Sequence, residues 1–373
     1  MIYLDSAATS LYKPECVQSA MLEAMHTMAS PGRGAHRPAM RAAQCCYDCR
    51  EALAALFHMT DPEQVIFTFN ATHALNIAIR SLVQSGTRVL ISGYEHNSVT
   101  RPLHALGAEV RTIRAPLYDP AAFLEEAQRQ LPWAEVVTCT HVSNVFGYIL
   151  PLEQLAALCN EQGTPLIVDA SQSAGVLELD MPRLGAAFVA MPGHKGLLGP
   201  QGTGVLLCKN DAFPLLYGGS GSASLLQTMP DYLPDRLEAG THNVAGIAGL
   251  LSSVRWIRER GCWTIREREH ALMDRFARQL CPVGVRCIYR TEDPAVQTAV
   301  LSLIPEHMDC ETFAEVLSDR GVAVRPGLHC APCAHETVGT LESGTVRFSF
   351  SPFNTTEQID AAAEICNSIL KNS

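Results

Sequence analysis

Through the first two-thirds of the chain, short apolar runs alternate with longer segments in which apolar residues return at helical spacing. Gln64–Phe69 (QVIFTF) reads as a strand and Ala71–Val83 as the helix that follows it. Arg88–Ser92 and Glu109–Ile113 read as strands, and Pro120–Gln130 as a helix. Glu135–His141 is a strand, Pro151–Gln162 a helix opened by proline, and Pro165–Asp169 (PLIVD) a strand. Phe188–Met191 and Gly204–Cys208 finish the series. This alternation predicts an α/β fold with a large, doubly wound, mostly parallel sheet.

After about Gly249 the pattern changes. Val254–Leu280 is long, charged and helical in its spacing. Short strands follow at Gln297–Ile304, Val322–Arg325 and Gly344–Ser349, with helices near Cys310–Arg320 and from Thr355 onward. Thr355 and Gln358 have the spacing of a capping box at the start of that last helix. The expected organisation is an arm over residues 1–15, a large α/β domain over 16–250 and a smaller α+β C-terminal domain over 251–373.

Composition narrows the class. Of 373 residues, 47% are hydrophobic and 18% charged, which fits a well-buried enzyme and excludes a disordered chain. The net charge of −10 argues against nucleic acid or an anionic membrane as a main partner. No apolar run reaches the roughly 18 residues that span a bilayer. The N-terminus lacks a basic region followed by an apolar core, so a cytoplasmic protein is expected. The 14 cysteines then read as mostly reduced thiols. Cys330 and Cys333 have half the spacing of a zinc site, but no second pair matches it, and no metal is expected.

Ligands of such sheets bind beyond the carboxyl ends of the strands. Gln64–Phe69 delivers Asn70, Ala71, Thr72 and His73 to a helix start, where backbone N–H groups and a hydroxyl suit a phosphate. Taken alone, Asn70 or Thr72 serves equally as a helix cap. Arg88–Ser92 leads to His96, a group that stacks on a ring or moves protons, or else a hydrogen-bonded loop histidine. Glu135–His141 delivers Asn144, and Pro165–Asp169 ends in Asp169 with Gln172 close behind. Phe188–Met191 delivers His194 and Lys195 on a glycine-rich loop. Lys195 is either a surface lysine or a Schiff-base lysine whose proton affinity is lowered by its surroundings. Lysine, aspartate, histidine and a phosphate-binding helix start together fit one cofactor, pyridoxal 5′-phosphate.

At these residues the chain resembles the fold-type I pyridoxal-phosphate enzymes of the class V aminotransferase superfamily, and among them the cysteine desulfurases. The matching stretches run nearly end to end: YLDSAATS (3–10), GRGAHRPA (32–39), EHNSVTRP (95–102), HVSNVFG (141–147), VDASQSAG (168–175), GHKGLLGPQGTG (193–204), LEAGTHN (237–243), RPGLHCA (325–331) and VRFSFSPFNTTEQID (346–360). RPGLHCA is similar to the segment that carries the sulfur-accepting cysteine in the type II branch, which includes selenocysteine lyase-like enzymes.

The resemblance implies roles position by position. Lys195 would form the Schiff base, and His96 would stack on the ring and assist proton transfer. Asp169 would pair with the pyridine nitrogen and Gln172 with the ring hydroxyl. Thr72, Ala71 and His194 would hold the phosphate, with Thr241 reaching the phosphate of a partner subunit in a homodimer. Asn144 and Arg347 would hold the substrate carboxylate, His36 and Arg325 would line the substrate side, and Cys330 would be the nucleophile. Adjacent His329, or the substrate itself, would supply the base for Cys330.

The implied reaction converts L-cysteine to L-alanine and leaves the sulfur on Cys330 as a persulfide, for a sulfur-acceptor protein and pathways such as iron–sulfur cluster assembly. Selenocysteine lyase acting on L-selenocysteine, an aminotransferase, a β-lyase, and a non-catalytic partner of a sulfur carrier are the alternatives. Pro192 departs from the family, whose relatives usually carry a serine before the glycine. Cys333 has no place in the family pattern.

Overall fold

Apolar runs buried on both faces build the central sheet. The computed structural model describes residues 1–31, 34–209, 211–281 and 283–372. Gly32 and Arg33 of the GRGAHRPA stretch lie outside the described residues. The chain opens with a two-residue strand, β1 (Ile2–Tyr3), and the helices α1 (Glu15–Thr27) and α2 (Arg37–Leu56). There follow β2 (Val65–Thr68), α3 (Ala71–Leu82), β3 (Arg88–Ser92), α4 (Asn97–Leu106), β4 (Glu109–Ile113) and α5 (Pro120–Gln130). The series continues with β5 (Val136–Thr140), α6 (Leu152–Gln162), β6 (Leu166–Asp169), the single turn α7 (Met181–Leu184), β7 (Phe188–Pro192) and β8 (Gly204–Cys208).

These strands form one seven-stranded sheet in the order β2-β8-β7-β6-β5-β3-β4. Only the β8 pairings are antiparallel, so β2, β3, β5, β6 and β7 all send their carboxyl ends to the same edge. Every residue of β2, β5, β6, β7 and β8 is buried. The outer strand β4 exposes Glu109, Val110 and Arg111, with charges that blunt an open edge.

The C-terminal part holds α8 (Val244–Arg260), α9 (Cys262–Gln279), β9 (Val285–Tyr289), β10 (Val300–Pro305) and α10 (Cys310–Asp319). It ends with β11 (Val322–Ala323), β12 (Arg325–Gly327), α11 (Pro332–Val338), β13 (Thr345–Ser349) and α12 (Thr356–Asn372). Four of its strands make an antiparallel sheet, β12-β13-β10-β9, with its own core around Phe276, Phe313 and Phe348.

The long helix expected at 254–280 is two helices. Gly261 separates them at φ +80°, a conformation that favours glycine. The boundary expected at 250 falls inside α8, whose Val254 and Ile257 still pack in the core of the large sheet. The single strand expected at 322–325 is also divided. β11 pairs with β1 in parallel, while β12 pairs with β13, because the arm and the sheet edge compete for the same stretch. The capping box forms as expected: the Gln358 N–H donates to Thr355 Oγ1 and the Thr355 N–H to Gln358 Oε1, both at 3.2 Å. Among the described residues no helix is long and apolar enough to cross a membrane.

Candidate active site

Asp169 ends the buried strand β6, and its carboxylate accepts the Ser171 N–H at 2.9 Å. Lys195 follows β7 on a turn that lies very close to its neighbours. A Cβ on Gly196 would come within 2.4 Å of the Ala174 carbonyl, and one on Gly193 within 2.0 Å of Thr203 Oγ1. Only glycine allows the lysine loop to sit this low. Burial lowers the proton affinity of Lys195 to about 8, with Arg347 and Arg325 pushing the same way and the Asp169 charge opposing them.

Two helix starts converge on the same space. At the head of α3, Asn70 accepts the His73 N–H at 2.9 Å, so the cap reading of Asn70 holds. At the head of α4, His96 Nδ1 accepts the Ser98 N–H at 3.1 Å. The two are joined by a 2.8 Å hydrogen bond between Thr72 Oγ1 and Ser98 Oγ. Burial holds His96 below the usual histidine range, against the pull of Asp169. His194 is also pushed down, to about 4, chiefly by burial, and its Nδ1 lies 3.1 Å from Thr9 Oγ1 of the arm.

Ala71, Thr72, His96, Asn144, Asp169, Gln172, His194 and Lys195 thus line one cavity. Gln172 donates to the Ala7 carbonyl at 3.0 Å, so the arm forms part of the wall's support. Pro192 lines the cavity too and offers no hydroxyl.

The remaining candidates lie outside that lining. Arg347 is buried beside the cavity, donating to Asp5 Oδ1 at 2.7 Å and to the Asn144 carbonyl at 2.9 Å. Its Nε has no hydrogen-bond partner among the described residues. Cys330 is exposed, and its carbonyl accepts the Asn97 N–H at 2.8 Å, which ties it to the residue after His96. Arg325 is exposed on the short strand β12. Thr241 is exposed and borders a separate pocket with Glu238 and His242.

Two expectations are corrected. His36 does not line the cavity: it is the exposed N-cap of α2, accepting the Ala39 N–H at 3.4 Å. His329 offers Cys330 no free ring nitrogen: its ring is buried, with Nε2 3.0 Å from the Arg325 carbonyl and Nδ1 3.5 Å from His335 Nε2, and burial beside Arg347 pushes it to about 2. One residue went unread: Asp5, the partner of Arg347. Its signal was a lone acid in YLDSAATS, whose meaning depends on contacts more than 300 positions away.

The sequence model of the aminotransferase class-V family matches residues 2–362. The chain belongs to the aminotransferase class-V family. This family depends on pyridoxal 5′-phosphate. The class-V chain is 32% identical over 386 aligned residues to a probable cysteine desulfurase of Methanothermobacter thermautotrophicus, covering 99% of this chain and 94% of that one. It is 30% identical to a probable cysteine desulfurase of Pyrococcus abyssi, covering 100% and 95%.

Among solved structures, an apo cysteine desulfurase from Thermococcus onnurineus NA1 superposes with a TM-score of 0.90 at 30% identity, covering all of this chain and 95% of that one. A NifS-like protein from Rickettsia africae shares the fold, with a TM-score of 0.84 at 19% identity and full coverage of both chains. The α/β, fold-type I architecture expected from the class-V resemblance is the one observed. The cavity suits the class-V cofactor in this structure's own terms. It combines paired helix starts for an anion, a carboxylate at a strand end for a ring nitrogen, and a half-buried lysine held short of full protonation.

Proposed function

We propose that this chain is a cysteine desulfurase, turning L-cysteine into L-alanine and taking the sulfur onto Cys330. The observation that carries the reading is the hydrogen bond from the Asn97 N–H to the Cys330 carbonyl, which ties the loop of an exposed cysteine to the residue after His96, itself in the lining of the cavity that holds Asp169 and Lys195. When bound, pyridoxal 5′-phosphate supplies an aldehyde for amines and a ring that accepts electrons.

The chain's own residues do the rest. Thr72, His194 and the N–H groups at Ala71 would hold the phosphate, with Pro192 adding nothing. Asp169 would keep a proton on the ring nitrogen, Gln172 would meet the ring hydroxyl, and His96 would stack on the ring and assist proton transfer. Arg347, with its unpartnered Nε, and Asn144 receive the substrate carboxylate, and Arg325 stands at the outer edge. Lys195, held near 8, is available to take the proton from the substrate Cα and return one. Cys330 Sγ attacks the substrate sulfur. A sulfur–sulfur bond forms, the carbon–sulfur bond breaks with its electron pair going to Cβ, and Cβ takes a proton. Cysteine and thiol become alanine and persulfide, with atoms and electrons balanced. Because His329 is closed off, the thiol proton passes to the substrate side.

The finer readings belong to the same proposal. Thr241 serves the partner subunit of a homodimer, which fits its place outside this chain's own cavity. The two cores support a large and a small unit bridged by the first 15 residues. The setting is cytoplasmic, and a sulfur-acceptor protein, as in iron–sulfur cluster assembly, takes the persulfide sulfur. The test is a purified protein given pyridoxal 5′-phosphate and L-cysteine. Equimolar alanine and sulfide under reductant support the reading, and their absence overturns it.

A further inference from the structure

Cys330 sits in an unusual backbone. His329 and Cys330 are consecutive non-glycine residues with left-handed φ, +53° and +55°. Such residues persist only where surrounding contacts over-determine them. The contacts that hold this pair come from three directions. Asn144 Nδ2 donates to the His329 carbonyl at 2.8 Å, and Asn97 N–H donates to the Cys330 carbonyl at 2.8 Å. The third contact is the His329 ring.

That ring is the first member of a buried chain. His329 Nε2 lies 3.0 Å from the Arg325 carbonyl, which only accepts, so Nε2 carries the proton and Nδ1 is an acceptor. His335 Nε2 lies 3.5 Å from that Nδ1 and must donate to it. His335 Nδ1 is then an acceptor, and Thr340 Oγ1 donates to it at 2.7 Å. These directions follow from the Arg325 carbonyl at one end, while a Thr340 backbone hydrogen bond also acts on the His335 ring. The two rings lie 11° from parallel with centroids 5.7 Å apart, and Phe146 closes the side of His335 at 5.8 Å. His335 is fully buried, on α11, and no step of the proposed reaction uses it.

We propose that His335, backed by Thr340, is a positioning residue for Cys330: it fixes His329 as the neutral Nε2–H tautomer and so locks the left-handed pair that presents the thiol. The groups facing the chain agree. Arg347 and Arg325 lie near His329 and disfavour its protonation, and burial pushes His335 to about 4. No carboxylate contributes to either shift. The inference rests on Cys330 being the nucleophile.

The test uses the cofactor-loaded protein and two readouts. Alkylation of Cys330 by iodoacetamide, followed by mass spectrometry, reports the loop without turnover, and buried Cys49 serves as an internal control for global unfolding. Steady-state kinetics with L-cysteine report the reaction. His335→Leu removes both hydrogen bonds. It is expected to speed Cys330 alkylation about tenfold while kcat falls about ten- to hundredfold at unchanged KM, as for a reacting group displaced by about 1 Å. His335→Gln keeps a donor and an acceptor and is expected to bring both values back to within about threefold of the parent. Thr340→Val should move both readouts in the same directions by less. Parent-like behaviour of His335→Leu, or a glutamine variant no better than leucine, overturns the proposal. If Cys49 becomes labelled in His335→Leu, Thr340→Val decides alone, and parent-like behaviour there overturns it. Full turnover by Cys330→Ser would end the nucleophile reading, while the alkylation result would still stand.

Discussion

On the proposed function, the cavity floor and the loop of Cys330 solve the same problem, holding a reactive side chain still, by opposite means. On the floor, Asp169 and Lys195 stand at or just beyond the ends of strands whose every residue is buried, and their positions follow from sheet register. On the loop, Cys330 is exposed and its backbone is held in a conformation that the chain alone disfavours. Its anchors are single hydrogen bonds from Asn97 and Asn144 and a row of two histidines and a threonine. The floor therefore rests on many small packing contacts, which fail gradually. The loop rests on a few directional bonds, each of which fails outright.

The largest expected effect comes from breaking the floor at its reactive atom. Lys195→Ala should lose turnover by about a thousandfold or more and lose the visible band of the bound cofactor, with the melting curve little changed. Persistence of that band would show that another amine holds the cofactor. Cys330→Ser isolates the loop: cofactor absorbance should stay at the parent level while sulfide release falls by about a hundredfold or more. Equal loss of absorbance in both variants would erase the distinction between the two regions.

Asp5→Asn tests the arm that supports both. It leaves the buried Arg347 guanidinium without its carboxylate, a change on the order of 3 kcal/mol in stability, and should raise KM for cysteine while sparing cofactor binding. Urea unfolding and steady-state kinetics read the two consequences separately.

Acid should reach the two regions together. His141, the buried residue after β5, is pushed to about 4, and His335 likewise, with His329 near 2, all mainly by burial. These are bases kept neutral in the folded chain, so the unfolded chain binds more protons once pH falls below its ordinary histidine value of about 6.5. Stability is whole above about 6.5, declines as pH falls, and for His141 and His335 stops declining near 4. Each contributes a loss of about 2 kcal/mol by pH 5. A urea midpoint that stays flat from pH 7 to pH 5 would contradict this. The smallest effect is a control outside both regions. Thr355→Ala removes the capping box of α12 and should lower stability by about 1 kcal/mol, a shift of a few degrees in Tm, with turnover intact.

The same contrast decided what could be read from sequence. Strands buried on both faces are continuous apolar runs, and a polar residue closing such a run, as Asp169 does, stands out. Asn144, His96 and Lys195 were found by the same logic. RPGLHCA was legible only as a resemblance, because nothing in its spacing predicts two left-handed residues or a histidine six positions from another acting as its partner. α2 escaped notice for a different reason. Its buried face is largely alanine and cysteine, which mark a helix stripe less clearly than leucine or isoleucine. The break at Gly261 was visible as a glycine, yet charged residues on both sides kept the helical spacing going past it.

The arm has one more consequence, which concerns timing. Residues 2–10 are made more than 300 residues before their partners: Val322 and Ala323 beside β1, Arg347 for Asp5, and Ser349 for Ala7. These contacts span about 340 positions, so the wall that steadies Gln172 and Arg347 closes only after β13 has been synthesised. A half-made chain can fold much of its large sheet and still lack a finished pocket. The pocket is therefore completed only once the small sheet is in place.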